Sequence, residues 1–178
     1  MTAWRPGDRR PDAASMLRVN QAGEYGATRI YAGQLAVLRR NSHASKLIAR
    51  MAAQEERHLT RFNALMATRR VRPTALQPLW NVAGFALGAA TALLSEQAAM
   101  ACTEAVETEI DRHYGAQLDE LGDDDPELAA DIAAFRAEEI EHRDIARAAG
   151  AGQAFGYPVL TATIRAACRV AIGLSKRI

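Results

Sequence analysis

The 178-residue chain has only two cysteines, Cys102 and Cys168, far apart and without a Cys-x-x-Cys. That excludes a zinc ribbon or a rubredoxin-type iron site, and it suits a reducing compartment, with each cysteine a small core residue. Strand signals are nearly absent, with no sustained apolar–polar alternation and no Asn-Gly or Asp-Gly hairpin turn. Net charge is only +1 with both signs interspersed, which argues against a dedicated nucleic-acid binder. No Gly-x-Gly-x-x-Gly follows a strand, so a dinucleotide fingerprint is missing. Met1–Pro11 lacks the apolar core of a secretory signal. Residues 1–12 are expected to be a flexible lead-in and 13–178 a single domain.

What is present is helical. Apolar periodicity and its breaks predict six helices, over about 13–40, 45–69, 75–94, 96–121, 126–149 and 156–176. Breaks fall at Asn41-Ser42, at Pro73 and Pro78, at Gly122–Pro126 and at Gly150–Pro158, and Asp125-Pro126 reads as an N-cap followed by proline at the first helical position. The third helix is unusual. Leu79–Leu94 carries no charged residue over roughly 24 Å of helix, yet falls short of the roughly 20 residues that span a bilayer. Arg69, Arg70 and Arg72 precede it, Trp80 stands where an interface anchor would, and Gly84 and Gly88 form a Gly-x-x-x-Gly suited to a close helix contact or self-association. It reads either as a wholly buried core helix or as one resting at a membrane. The last helix, with Arg165, Arg169, Lys176 and Arg177 beside apolar residues, suits an anionic lipid surface.

Two Glu-x-x-His motifs, Glu55–His58 and Glu139–His142, carry the chemistry. Each follows another glutamate by about thirty residues, Glu24 and Glu107 respectively. With four His and twelve Glu in the chain, chance alone gives about 0.3 such matches. Register is the stronger sign. Ile48, Met51, Glu55, His58, Phe62 and Leu65 form one continuous stripe, as do Leu128, Ile132, Phe135, Glu139, His142 and Ala146. Leu17, Glu24, Ala27, Tyr31, Leu35 and Leu38 share a face, as do Met100, Glu107, Ile110, Tyr114, Leu118 and Leu121. Surface Glu–His pairs would lie on the polar face instead. Glu104 competes with Glu107 but shares its face with Thr108, Asp111 and Gly115, which reads as solvent; Glu109 sits on a mixed face. One Glu from each of two helices plus Glu-x-x-His from each of two others is the ligand set of ferritin-like di-iron or di-manganese bundles. The expected fold is therefore an all-α, ferritin-like four-helix bundle with a di-iron centre, an apolar crossover helix and a C-terminal helix. The metal ligands are Glu24, Glu55, His58, Glu107, Glu139 and His142, a set suited to iron or manganese. Asp111, Asp131 and Asp144 are candidates for a carboxylate behind an imidazole.

The words of the chain resemble the demethoxyubiquinone hydroxylase family, the di-iron monooxygenases of ubiquinone biosynthesis. They include Leu17-Arg-Val-Asn-Gln-Ala-Gly-Glu-Tyr-Gly-Ala-Thr-Arg-Ile-Tyr-Ala-Gly-Gln34, Arg70-Val-Arg-Pro-Thr74, Pro78-Leu-Trp-Asn-Val82, Gly84-Phe-Ala-Leu-Gly-Ala89, Ala99-Met-Ala-Cys-Thr103, Glu138-Glu-Ile-Glu-His142 and Cys168-Arg-Val-Ala-Ile172. The likeness covers about residues 15–178, and the family's six ligands fall on the six residues named above. His113 and Tyr114 match a His-Tyr pair of relatives near the metals, whereas Gly173 stands where some relatives carry Tyr. The resemblance implies O₂-dependent ring hydroxylation of a polyprenylated demethoxyubiquinol, with two iron ions as cofactor and NADH as electron source. It also implies a peripheral place on the cytoplasmic face of a bacterial inner membrane, or the mitochondrial inner membrane in a eukaryote. A lipid-presenting partner protein and self-association of the chain are further expectations, and a ferritin-like iron-oxidising or peroxide-scavenging protein is the alternative.

Overall fold

The computed structural model describes residues 11–178, so the lead-in expected at residues 1–12 lies, except for Pro11 and Asp12, outside the described residues. Six α-helices follow, with no strand among the described residues. They are α1 (Ala13–Val37), α2 (His43–Arg69), α3 (Gln77–Leu94), α4 (Glu96–Leu121), α5 (Pro126–Ala148) and α6 (Tyr157–Ser175), and a 3₁₀ turn at Ala151–Gln153 precedes the last. Four begin on side-chain caps: Asp12, Ser42, Ser95 and Asp125 accept from the backbone N–H three residues on. The two helices without such a cap, α3 and α6, instead carry Pro78 and Pro158 in their first turn. α1 stops at Val37, short of the expected 40. Leu38 turns extended, and Asn41 adopts a left-handed φ of 67° that feeds the chain into the Ser42 cap.

The four long helices α1, α2, α4 and α5 form the bundle, with α1 packed on α2 and α4 on α5. α3 folds back along α1, and α6 along α4. The chain is thus two similar halves, α1–α3 and α4–α6. Two apolar layers close the bundle, one holding Leu17, Phe62, Leu121, Leu128 and Ile132, the other Ile48, Met51, Met100 and Ala146. Along all four helices the glutamates and histidines fall between these layers.

The Gly-x-x-x-Gly of α3 makes an intrachain contact. A Cβ on Gly88 would lie 1.9 Å from the Ile30 carbonyl oxygen, and one on Gly33 of α1 would lie 2.1 Å from that of Phe85. Backbone meets backbone at this crossing, and no larger residue fits. α3 is not wholly buried: Gly84, Gly88, Thr91 and Ala92 face inward, while Leu79, Val82, Leu93 and Leu94 are between 52% and 73% exposed.

Gly88→Ala is expected to destabilise the fold by about 1–3 kcal/mol through overpacking. In thermal unfolding the melting temperature should then fall by about 2–4 °C per kcal/mol for a chain of this size. An unchanged midpoint would mean that α3 does not depend on this crossing.

Candidate metal centre

Each long helix of the bundle points its carboxylate or imidazole at the central layer because those residues occupy core positions of its apolar stripe. Glu24, Glu55, His58, Glu107, Glu139 and His142 are all 1% exposed or less. They form two overlapping groups: Glu24, Glu55, His58 and Glu139 in one, and Glu55, Glu107, Glu139 and His142 in the other. Glu55 and Glu139 belong to both, so each can bridge two positions. Each outer position adds one glutamate and one histidine from the same half of the chain, Glu24 with His58 and Glu107 with His142, so the two halves meet through Glu55 and Glu139.

The donor atoms are spaced for metal. His58 Nδ1 stands 3.4 Å from Glu24 and 3.2 Å from Glu139, and His142 Nδ1 stands 3.1 Å from Glu55 and 3.2 Å from Glu139. Two ligands at about 2.1 Å from one ion and near right angles are about 3 Å apart. Both Nδ1 atoms, both oxygens of Glu55 and of Glu139, and one oxygen each of Glu24 and Glu107 are buried without a hydrogen-bond partner. Groups orphaned in this way carry a large desolvation cost unless a cation meets them. Four carboxylates carry the charge that two divalent ions neutralise, so the residues present fit a two-metal cofactor, and hard oxygen with one imidazole per ion suits iron or manganese.

The remaining atoms of these residues are held from behind. Tyr31 OH donates to Glu107 at 2.6 Å, and Tyr114 OH donates to Glu24. Each tyrosine lies seven residues after the glutamate of its own helix and braces that of the other half. His58 Nε2 lies 3.3 Å from Glu138, and His142 Nε2 lies 3.0 Å from the Gln54 amide oxygen. With acceptors there, each ring in its neutral form keeps its proton on Nε2 and would present Nδ1 to a metal at the centre. Phe135 stacks on the His58 ring at 4.1 Å between centroids and fixes its plane.

Several expectations are corrected here. Asp111 accepts from Arg136 and Arg143, Asp131 from Arg61, and Asp144 from Arg143. The groups behind the imidazoles are Glu138 and Gln54. Both were missed, although each directly precedes the glutamate of a Glu-x-x-His and so shares its edge of the helix. Tyr31 was missed as a partner too, and its signal was its match in spacing to Tyr114. His113 bonds Gln117, which pairs with Asn20, so it belongs to a buried polar chain beside the centre; burial lowers it to about 4. Glu104 is not on a solvent face. It is 5% exposed and accepts from Arg147 and Tyr157, because α5 and the start of α6 cover that side of α4. Glu109, 1% exposed, accepts from Arg165 and Arg169, so these two cations of α6 are turned partly inward.

Without metal the cluster resists ionising fully. Burial raises Glu55 and Glu107 well above the usual carboxylate range, helped by the charge of Glu139, and raises Glu139 to about 7. Burial alone would lower His58, but the carboxylates of Glu139 and Glu24 close to its Nδ1 outweigh it and raise the ring to about 10. Burial works to raise Glu24 as well, yet the contact with His58 leaves it lowered. Tyr31 and Tyr114 are pushed up by burial and by the adjacent carboxylates, and so remain donors.

Beside the centre lies an apolar cavity of about 180 Å³ between α1, α3, α4 and α6. Its wall includes Gly23 and Val106, the residues just before Glu24 and Glu107, as well as Ala27, Ile110 and Cys168. Trp80 also lines it and donates from Nε1 to Ser175 at 3.0 Å. Cys102 is a buried core residue, whereas Cys168 is partly exposed; burial pushes both thiols up to about 12.

The family model described as ubiquinone biosynthesis protein COQ7 matches residues 11–175. The chain is 58% identical over 175 residues to the 3-demethoxyubiquinol 3-hydroxylase of Rhodospirillum rubrum, covering 97% of this chain and 82% of that protein. It is 55% identical over 167 residues to the human mitochondrial NADPH-dependent 3-demethoxyubiquinone 3-hydroxylase, covering 92% and 76%. It is 44% identical over 179 residues to the mitochondrial 5-demethoxyubiquinone hydroxylase of Saccharomyces cerevisiae, covering 92% and 77%.

The metal-free protein should lose stability as pH rises. Glu55, Glu107 and Glu139 have folded values above the ordinary 4.5, so their contribution is complete below that value. It is lost as pH rises through the folded value, about 7 for Glu139. His58, raised to about 10, has the same sign, while Glu24 opposes it. Calorimetric melting from about pH 5 to about pH 8 should show a falling midpoint that divalent-metal loading flattens; a flat metal-free profile would contradict this account.

Proposed function

The chain belongs to the family of ubiquinone biosynthesis protein COQ7, and from that premise we propose that it is an O₂-dependent di-iron monooxygenase hydroxylating the ring of a polyprenylated demethoxyubiquinol. The observation that carries this reading is the convergence of orphaned buried carboxylate and imidazole atoms beside an apolar cavity. Residues 13–178 act as one domain. Glu24, Glu55, His58, Glu107, Glu139 and His142 hold the irons, with Glu55 and Glu139 shared. An iron pair bound there supplies the two-electron reduction of O₂ that ring hydroxylation requires. One oxygen atom enters the ring as hydroxyl and the other leaves as water, with electrons from a reduced nicotinamide. NADH is the form that the family resemblance implies, and the names of mammalian relatives specify NADPH. Tyr31 and Tyr114 keep Glu107 and Glu24 from swinging, Glu138 and Gln54 keep the imidazole protons away from the metals, and the apolar wall excludes water from the ring.

The cavity suits a prenylated ring, and its surroundings suit a membrane. Beside it α3 exposes Leu79, Val82, Leu93 and Leu94, and α6 exposes Val159 and Val170. No helix among the described residues is long and apolar enough to cross a membrane. We therefore place the protein peripherally, on the cytoplasmic face of a bacterial inner membrane, with this apolar surface against the lipid. An iron-storing or peroxide-scavenging bundle has no use for such a surface.

Protein loaded anaerobically with Fe(II) and given a short-tailed demethoxyubiquinol, a reductant and ¹⁸O₂ is expected to yield a ring-hydroxylated product carrying the label, read by mass spectrometry. Glu55→Ala or Glu139→Ala should abolish the product and the iron stoichiometry together. Iron oxidation without labelled product would sink the monooxygenase reading. For the membrane, co-flotation with anionic liposomes should drop several-fold when Leu79, Val82 and Leu93 become Ser; undiminished flotation would place the lipid contact elsewhere.

A further inference from the structure

Around the centre the six Glu and His residues and their two tyrosine braces match between the halves of the chain, but the residues behind the imidazoles do not. Glu55 corresponds to Glu139, His58 to His142, and Glu24 with Tyr114 to Glu107 with Tyr31. The residues just before the shared glutamates differ: Gln54 on α2, Glu138 on α5. His58 Nε2 therefore meets an anionic carboxylate at 3.3 Å, whereas His142 Nε2 meets a neutral amide oxygen at 3.0 Å. The Gln54 amide nitrogen donates to the same Glu138 oxygen at 3.0 Å, so the two rings are linked through one hydrogen-bonded bridge. Arg57 also donates to that oxygen at 3.0 Å.

We propose that Glu138 and Gln54 are positioning residues that make the two metal positions unequal, holding the metal on His58 more tightly than the metal on His142. The inference rests on the reading of the site as a two-metal centre. A carboxylate behind an imidazole N–H draws on that proton and leaves the opposite nitrogen a stronger donor, which a neutral amide does far less. Arg57 does not cancel the effect, because its side chain is 60% exposed and water screens the pair. The Gln54 amide has one usable orientation, oxygen toward His142 and nitrogen toward Glu138, so the asymmetry is fixed by the bridge itself. The Glu24–His58 position fills first and the Glu107–His142 position second.

The test is an anaerobic titration of the full-length metal-free chain with ⁵⁷Fe(II), followed by calorimetry and Mössbauer spectroscopy. The unsubstituted protein should take up iron in two steps, with one quadrupole doublet dominant at the first equivalent and a second appearing with the next. Glu138→Gln should weaken the tight step by about 10- to 100-fold and bring the two doublets in together. Gln54→Met, which removes the acceptor behind His142, should weaken the second step and widen the gap. Variants that move the steps in these opposite directions are not explained by a merely structural role. A Glu138→Gln titration indistinguishable from that of the unsubstituted chain would overturn the inference. So would equal weakening of both steps with a lower melting temperature of the metal-free variant. Uptake of two irons in one step, with a single doublet, removes the inequality and leaves the two-metal reading standing; no iron uptake at all removes that reading itself.

Discussion

Four carboxylates buried together between two apolar layers are the constraint on which the rest of this structure depends. Each ion taken from water costs several kcal/mol unless it is met by opposite charge and hydrogen bonds. The helices supply part of that compensation, through Tyr31, Tyr114 and the histidines, and leave one set of atoms aimed at a common centre. The bundle must close tightly enough to keep water out, which explains why the layers above and below are made of fully buried Ile48, Met51, Phe62, Leu128 and Ile132. It must also leave one side accessible to a ring. The α3 and α6 helices meet both demands, because they cover α1 and α4 from outside while a cavity remains beneath them.

The near two-fold repeat of the chain gives this constraint an economical solution. Neither half builds the centre alone, since each of the two buried groups that could hold a metal draws residues from both halves. The braces cross in the same way, with a tyrosine of α1 on a glutamate of α4 and the reverse. Binding the halves together and building the centre are therefore a single event. Where the repeat is imperfect the reason is local. α3 carries glycines at its crossing with α1 and lies backbone to backbone, whereas α6 is tied to α4 through arginines that reach the buried Glu109.

Much of this was legible in the sequence. The six helices, their breaks, and the placement of glutamate and histidine on apolar stripes follow from periodicity and capping, which are local properties. What periodicity misjudged was α4. Glu104 looked solvated and Glu109 half-so because a bundle helix ordinarily has an outer face, yet α5 and α6 cover that face in three dimensions. The partners of the histidines were misjudged for a related reason. Asp111, Asp131 and Asp144 have the right chemistry, but which carboxylate stands behind a ring depends on how α2 faces α5, and that is a distance between segments some eighty residues apart.

The sequence by itself determined the helical class, the burial of six Glu and His residues on apolar stripes and the apolar character of α3, because each is written in residue type and spacing along one helix. The tertiary structure alone decided the rest. It decided which glutamates are shared, which tyrosine braces which carboxylate, and that Gln54 and Glu138 close a bridge behind the imidazoles. It also decided that the Gly-x-x-x-Gly serves a contact within the chain, and that the outer side of α3 remains exposed. These are relations between helices, set by how side chains from different elements meet, and spacing within any single element is silent about them.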